Sequence, residues 1–236
     1  MRPIPSILLF TAVTAVVSGC ASSTVGLTPQ DVAQLRTVSE IPAVHGQPPT
    51  FRVIGRGSML APAMFGIVGG LVAEGMARSE GKDLVTEYGL DDPAARVKDR
   101  LATALAERLG LANVRAVAAP VEDIDAKTLR SAFKDPVVLA VQTDQWSLAS
   151  VDLSSRYGVT YAATARIVRT SDGTVLSNAR CRLDGKEFAK LTMDELKADN
   201  GTQLKTRFGQ AADLCVERLV GELLSRESLN AAASTK

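Results

Sequence analysis

Few side chains in this 236-residue chain could do covalent chemistry: one histidine, His45, and three cysteines, Cys20, Cys181 and Cys215. Nucleophilic catalysis of the Ser-His-Asp or Cys-His kind needs an imidazole beside the nucleophile. His45 stands between Val44 and Gly46, close to Pro48-Pro49, in a stretch that reads as an irregular linker. It is therefore expected to be a solvated linker residue without a functional role. No Gly-x-Ser-x-Gly occurs. Gly55-Arg56-Gly57-Ser58 partly matches a phosphate loop, but the Lys-Ser/Thr pair is missing and the dinucleotide fingerprint fails at its third glycine. No His, Cys and carboxylate cluster has metal-ligand spacing, so no metal or other cofactor is expected. A hydrolase built on two carboxylates needs only convergence in space, and nothing in the sequence marks a particular pair. Enzyme activity is thus the second expectation, not the first, and no catalytic residue is named.

The first twenty residues have a different chemistry. Arg2 supplies a positive start, Ile7 to Val17 is an uninterrupted stretch of apolar and small residues, and Ser18 and Gly19 precede Cys20. The apolar run has the length of a secretory signal and is too short for a stop-transfer helix. Val17-Ser18-Gly19-Cys20 resembles the lipobox of bacterial lipoproteins. That resemblance implies a signal peptide over 1–19, cleavage before Cys20, a diacylglyceryl group on its thiol and an acylated amino terminus. Each buried methylene then contributes about 0.8 kcal/mol, and more than one chain gives firm anchoring. Ala21 follows where the enteric sorting pattern has Asp for inner-membrane retention. The resemblance therefore points to a lipid-anchored protein of the cell envelope, in the inner leaflet of the outer membrane and facing the periplasm.

Once residues 1–19 and Arg2 among them are removed, acidic and basic residues balance. A balanced chain has no long-range field for nucleic acid, and aromatics at 4% provide few stacking surfaces for bases or sugars. With Cys20 assigned to lipid, Cys181 and Cys215 form an even pair in an oxidising compartment, which reads as a disulfide.

Residues 20–50 are expected to be a lipidated flexible tether, because Pro29, Pro42, Pro48 and Pro49 interrupt regular structure, with at most one helical turn around Asp31 to Arg36. Such a chain reaches on the order of 30 Å. The domain then spans 51–228, with a disordered tail over 229–236. Phe51 to Ile54 suggests a short strand. Met59 to Ala73 carries no charge and holds Gly66 and Gly70 at a spacing that allows close backbone approach. Burial of this stretch is the first expectation, and contact with a partner or with lipid through Met64, Phe65, Ile67, Val68 and Leu71 is the second. Gly81 to Gly89 reads as a polar connection. Asp92-Pro93 opens a helix that Gly110 closes, with Ala94, Val97, Leu101, Leu105 and Leu109 on one face.

Leu111 to Ala118 suggests a strand and Ile124 to Phe133 a short helix. Val137 to Val141, apolar throughout, reads as a central strand covered on both faces, and Trp146 as a core cap. Val159 to Arg169 and Thr174 to Leu183 read as a hairpin. Apolar or small residues occupy odd positions in both strands, so the pairing must set odd against odd. A three-residue loop, Ser171 to Gly173, achieves this and places Ala163 opposite Cys181. Thr192 with Glu195 caps a short helix, Asn200-Gly201 breaks it, and a final helix runs from about Thr202 to Ser225 with Cys215 on its apolar stripe.

The order of elements implies an α+β fold: a mixed sheet of four or five strands covered by helices, ending in a hairpin and a long helix. It is loosely similar in architecture to small periplasm-facing envelope lipoproteins that support transport or assembly. The function expected from these features is a membrane-anchored, non-catalytic binding or assembly accessory with an envelope protein partner. The alternatives are a lipid-anchored periplasmic hydrolase and a small apolar-ligand-binding domain.

Overall fold

In the computed structural model the described residues are 24–112, 114–150 and 155–224, without the side chains of 56–65. Cys20, the expected signal peptide and residues 225–236 lie outside them. The fold is α+β, with five helices and a mixed seven-stranded sheet among the described residues, five strands of which form the main order. The sheet is thus larger than the four or five strands expected, the excess being two short strands of three and two residues.

The organising strand is β4 (Val137–Ser150), fourteen residues long. Along one edge it carries two strands in succession, both parallel to it. β1 (Ile41–His45) pairs over Ala43–His45 with Leu139–Val141, and β2 (Arg52–Ile54) pairs with Ser147–Ala149. β3 (Val114–Ala116) extends the sheet beyond β1. On the other edge β4 runs antiparallel to β5 (Arg156–Arg169), which pairs with β6 (Thr174–Asp184) and with the short β7 (Leu191–Thr192). Both faces of the first half of β4 are covered. Val137, Leu139 and Val141 enter the main core, whereas Val138 and Ala140 enter a smaller cluster with Val44, Val168, Ile124 and Leu129. An apolar run without alternation is what a strand covered on both faces requires.

The expected tether is part of the domain from Val25 onward. Val25 exchanges backbone hydrogen bonds with Asn178 of β6, and the N–H of Leu27 donates to Leu223. Helix α1 (Pro29–Thr37) follows, closed at its start by a Thr28–Asp31 capping box. The prolines misled because each occupies a tolerated place. Pro29 stands at the first helical position, where its missing N–H costs nothing. Pro42 precedes the point at which β1 begins its ladder with β4. Pro48 and Pro49 lie between β1 and β2.

Helix α2 (Arg56–Tyr88) runs through both the uncharged stretch and the expected polar connection at Gly81–Gly89, and is kinked at Gly66, where φ is +58°. Helix α3 (Pro93–Leu109) has Asp92 as its cap and left-handed Gly110 at its end. Its buried stripe holds Ala94, Val97, Leu101, Leu105 and Leu109. Helix α4 (Ala126–Ala132) closes the smaller cluster with Leu129. Helix α5 (Met193–Leu223) begins with the Thr192–Glu195 capping box, breaks over Ala198–Gly201, and continues with Leu204, Phe208, Ala211, Cys215, Leu219 and Leu223 buried.

The hairpin has the expected register by another route. Ala163 faces Cys181 and Ala165 faces Ala179, odd against odd. Near the turn, however, Val168 faces Val175 and Arg169 faces Thr174, so the loop is Thr170–Gly173 and the register is restored by an irregularity next to Ile167. Thr170 is held away from Thr174 because its N–H donates to the Pro136 carbonyl, 3.0 Å, at the entrance to β4. Gly173 has φ +77°, the left-handed conformation that favours glycine there.

Cys181 of β6 and Cys215 of α5 are joined by a disulfide, Cα–Cα 5.3 Å, 34 residues apart. Ala163, Ala179, Ala211 and Ala212, all fully buried, leave room for the helix to approach the hairpin this closely. Closing a loop of that length contributes about 3–4 kcal/mol in the chain-entropy model. The double substitution Cys181→Ala, Cys215→Ala is expected to lower the unfolding free energy by about that amount in urea titrations. A loss below about 1 kcal/mol would contradict it.

Candidate functional site

Two features of the fold stand out as surfaces for binding. The first is α2. Its buried side is made of small residues at intervals of four, Gly69, Ala73, Ala77 and Gly81. A Cβ at Gly81 would overlap the carbonyl oxygen of Phe51, so the helix lies directly on the backbone leading into β2. A Cβ at Gly66 would meet no described atom within 4 Å. The opposite side is aliphatic and open to solvent: Ile67 is 85% exposed, Val68 71% and Leu71 70%, and Val72 and Met76 continue the stripe. Burial of Met59–Ala73, the first expectation, does not hold for these residues. Met64 and Phe65 belong to the same helix, but their side chains are not among those described. Among the described residues, no helix is long and apolar enough to cross a membrane.

The second feature is a cleft of about 780 Å³, open on one side, between the Gly89–Asp92 turn, the first turns of α3 and the middle of α5. His45, the last residue of β1, is the sheet residue that lines it. β1 ends at His45 and β2 begins at Arg52, so the sheet edge is left without a partner strand over the intervening segment. Gln142 and Trp146 of β4 bridge to that segment, through hydrogen bonds to the carbonyls of Gln47 (2.6 Å) and Pro49 (2.7 Å). Trp146 is 4% exposed and meets Phe51 and Phe208 edge-on, with centroids 4.9 and 5.9 Å away. It serves as a core cap; Phe208 reaches from this cluster to the cleft wall.

His45 is not a linker residue. It is 7% exposed, at the end of β1, and lines the cleft; its Nδ1 is buried without a hydrogen-bond partner. Burial, followed by the charge of Lys98, holds its pKa below the ordinary value of 6.5. Lys98 itself is 3% exposed; its Nζ donates to the Val117 carbonyl at 2.6 Å and pairs with Asp99 at 3.1 Å. Across the cleft floor Asp92 has two distinct oxygens. Oδ1 accepts from the Ala94 N–H (3.0 Å) and from the Thr143 hydroxyl (2.5 Å), whereas Oδ2 is buried with no partner. Burial raises the Asp92 pKa, and the two hydrogen bonds partly offset the rise. Behind them the Tyr161 hydroxyl lies 3.4 Å from Thr143, and burial drives its ionisation far above the usual tyrosine range. A buried polar atom without a partner costs about 1–3 kcal/mol.

The rim carries charges of both signs. Asp91, Asp92 and Asp99 line it together with Arg96, Arg100 and Lys205. Asp213 of α5 binds Arg96 through two hydrogen bonds, 2.8 and 2.9 Å, and also pairs with Arg100, which holds its own carboxyl below the usual range. Lys205 is exposed and extends from α5.

Of the residues singled out in the sequence, Cys181 and Cys215 come together in the core, Ile67, Val68 and Leu71 share one open face, and Cys20 lies outside the described residues. Sequence reasoning missed the cleft. One signal was available: Ile41–Val44 ahead of His45 is an apolar run that could have been read as a strand carrying the histidine inward.

No protein-family model matches the chain, and no curated protein matches it in sequence. Solved structures with similarity include the PelC dodecamer from Paraburkholderia phytofirmans, at 14% identity over 80% of this chain and 95% of that one, TM-score 0.35. A neuraminyllactose-binding hemagglutinin homolog from Helicobacter pylori is similar at 11% identity over 84% and 90%, TM-score 0.35. A lipoprotein from Neisseria meningitidis is similar at 17% identity over 73% and 99%, TM-score 0.25.

The environment of His45 has a measurable consequence. Its folded pKa is depressed, so its contribution to stability is complete above the unfolded value of 6.5 and is lost as pH falls through the folded value. Stability should therefore decline as pH is lowered below about 6.5, and His45→Leu should remove that portion of the decline. With one histidine in the chain, a single imidazole titration by NMR reads the midpoint directly. A midpoint at or above 6.5 would show that burial does not govern this group.

Proposed function

We propose that the protein is a lipid-anchored, non-catalytic lipoprotein of the cell envelope, acting as a binding or assembly accessory that docks an envelope protein through the open face of α2. The observation that carries this reading is the aliphatic stripe Ile67, Val68, Leu71, Val72 and Met76. It presents on the order of 600 Å² of apolar surface, at the upper end of what a monomer leaves open and close to one partner's share of a standard interface.

The occupant is an uncharged apolar face of a second protein rather than the bilayer. A helix lying in a membrane interface carries a strongly charged face, rich in Lys and Arg. Residues 57–73 of α2 contain no charge, and the side opposite the stripe is committed to the domain through Gly69 and Ala73. The apolar-ligand alternative draws no support from the interior: the void bounded by Leu35, Ile41, Leu105, Leu109, Leu139 and Ile167 is about 10 Å³, no larger than one water needs.

A diacylated Cys20 would hold the domain close to the membrane. Only four residues, so five Cα-to-Cα steps, separate it from Val25, whose backbone is bonded to β6. Fully extended, they span at most about 17 Å. The protein would stand on the outer membrane's periplasmic leaflet by its β6 edge, without the long spacer that the prolines suggested.

Two measurements test the reading. Mass analysis of the mature amino terminus should find the chain starting at a tri-acylated Cys20; an unmodified Cys20 or an intact leader would remove the anchor. A photo-crosslinker placed at Leu71 in cells should give discrete protein adducts that Val68→Asp abolishes while the melting temperature is kept. Lipid adducts alone, or none, would overturn the docking role.

A further inference from the structure

The sheet ends at β3, whose outer edge carries no partner strand among the described residues. We infer that this edge, with the groove between it and α3, binds an extended basic segment of a partner protein as an added strand. The segment has a small aliphatic residue at its centre and a Lys or Arg two residues away on each side.

The backbone sets the pairing. Val117 donates its N–H to the Ala43 carbonyl of β1, 2.8 Å. Backbone groups along a strand point alternately to its two edges, so the N–H and C=O of Ala116 and of Val114 point away from β1. An open edge of this kind is a template for another strand. Because β3 is only three residues long, pairing supplies register and the neighbouring side chains must supply selectivity.

Those side chains leave room beside the edge. Where α3 covers β1 and β4 it presents Leu105 and Leu109, which bound one small void with Ile41 and Leu139. Over the edge it presents Ala102 and Ala106 instead, and they face Val114 and Ala116 across an open groove of about 340 Å³. An added strand would direct alternate side chains into that groove. A small aliphatic one fits between the alanines.

Charge selects what flanks it. Among the described residues that line the groove, the ionisable ones are Asp99 and Glu107, both acidic. Arg115, between the two groove-facing residues of β3, takes the strand's other face and pairs with Glu40. Asp99 also pairs with Lys98 at 3.1 Å, whereas Glu107 is exposed without an ion pair among the described residues. The two carboxylates stand eight helical positions apart, about 12 Å along the axis. Side chains four residues apart in a strand share a face and lie about 13 Å apart. A base at each of those two positions therefore meets one carboxylate, while an acidic segment would meet like charge at both ends. A second copy continuing the sheet antiparallel would bring its own Asp99 and Glu107 to the same side, which disfavours it as the occupant.

The test is an NMR and calorimetric titration of the detergent-solubilised full chain with acetyl-Lys-Thr-Val-Thr-Lys-amide. Its controls are the Glu-Thr-Val-Thr-Glu counterpart and two N-methylated forms, one methylated on both threonines and one on the valine. The lysine peptide should bind saturably, shift the Val114 and Ala116 amides and slow their exchange with solvent at least tenfold. The glutamate counterpart should bind at least tenfold more weakly. One methylated form should lose binding and the other keep it, because an edge pairs with alternate amides only. Ala116→Pro removes an outward N–H at a place where an edge strand tolerates proline, and Ala106→Leu fills the groove from the helix side. Each should weaken the lysine peptide at least tenfold, and Val68→Asp on α2 should leave it unchanged, so this surface and the docking face are separable. Absence of binding at millimolar peptide, indifference to both methylations, equal affinity for the glutamate peptide, or full binding by Ala106→Leu would overturn the inference. So would protection of Val114 and Ala116 that rises with protein concentration alone, which would assign the edge to a second copy.

Discussion

The backbone ladder of β4 is the constraint on which the rest of the structure depends. It pairs antiparallel with β5 over nearly its whole length, and on its other edge holds β1 and β2 end to end. Two strands along one edge cannot both be in perfect register when the chain between them is of arbitrary length. The offsets differ by one residue, Ala43 facing Leu139 but Val53 facing Leu148. The ladder to β5 is irregular between Thr143 and Gln145, in the same part of β4. His45, where β1 ends at that interruption, is the sheet residue that lines the cleft. Thr143, at the irregularity, turns its hydroxyl to Asp92, with the Tyr161 hydroxyl of β5 behind it. Bulges commonly re-aim a side chain near a binding site in this way.

Small side chains decide what the helices can do around that sheet. On one side Ala163, Ala179, Ala211 and Ala212 let α5 descend on the hairpin until Cys181 and Cys215 bond. On the other, Gly81 and its neighbours let α2 lie on the backbone of Phe51. The two contacts differ in what they leave exposed. Helix α5 has a conventional amphipathic stripe, and its remaining face is polar. Helix α2 buries Gly69, Ala73, Ala77 and Gly81 ahead of Leu84, and its aliphatic residues between 67 and 76 are exposed on the opposite side. A helix whose small side is buried and whose large apolar side is open is poorly explained by the stability of the isolated domain.

Much of the fold was legible because local chemistry and burial agreed. Asp92-Pro93 with Gly110, the Thr192–Glu195 box and the break at Asn200-Gly201 each name a helix boundary through a specific backbone need, and each lies where the structure has one. The hairpin register followed from the requirement that two apolar faces coincide, although the turn achieved it differently, because Thr170 is bound to Pro136 and not to the loop. Residues 24–50 were illegible for the opposite reason. Proline and glycine there signal interruption, and whether an interruption lies in a tether or between two strands on one sheet edge depends on β4, a hundred residues away. The same holds for His45. Its neighbours describe a loop, while its burial is imposed by α3 and by Lys98, a residue whose charge ends against the Val117 carbonyl in the interior. No local pattern encodes that encounter.

The segment from Val25 to Leu27 and the cleft, far apart in sequence, are linked through one helix. Leu27 is bonded to Leu223 near the end of α5, and Val25 to the neighbouring edge of β6, so the amino-terminal segment is tied to the same body that the disulfide staples together. Helix α5 also supplies Phe208 and Lys205 to the cleft and Asp213 to the arginines of α3. The α2 face rests on β2 and on Phe51, and Phe51 in turn packs edge-on against Phe208 at 5.5 Å. The aromatic cluster of Phe51, Trp146 and Phe208 therefore adjoins α2 at one end and the cleft at the other.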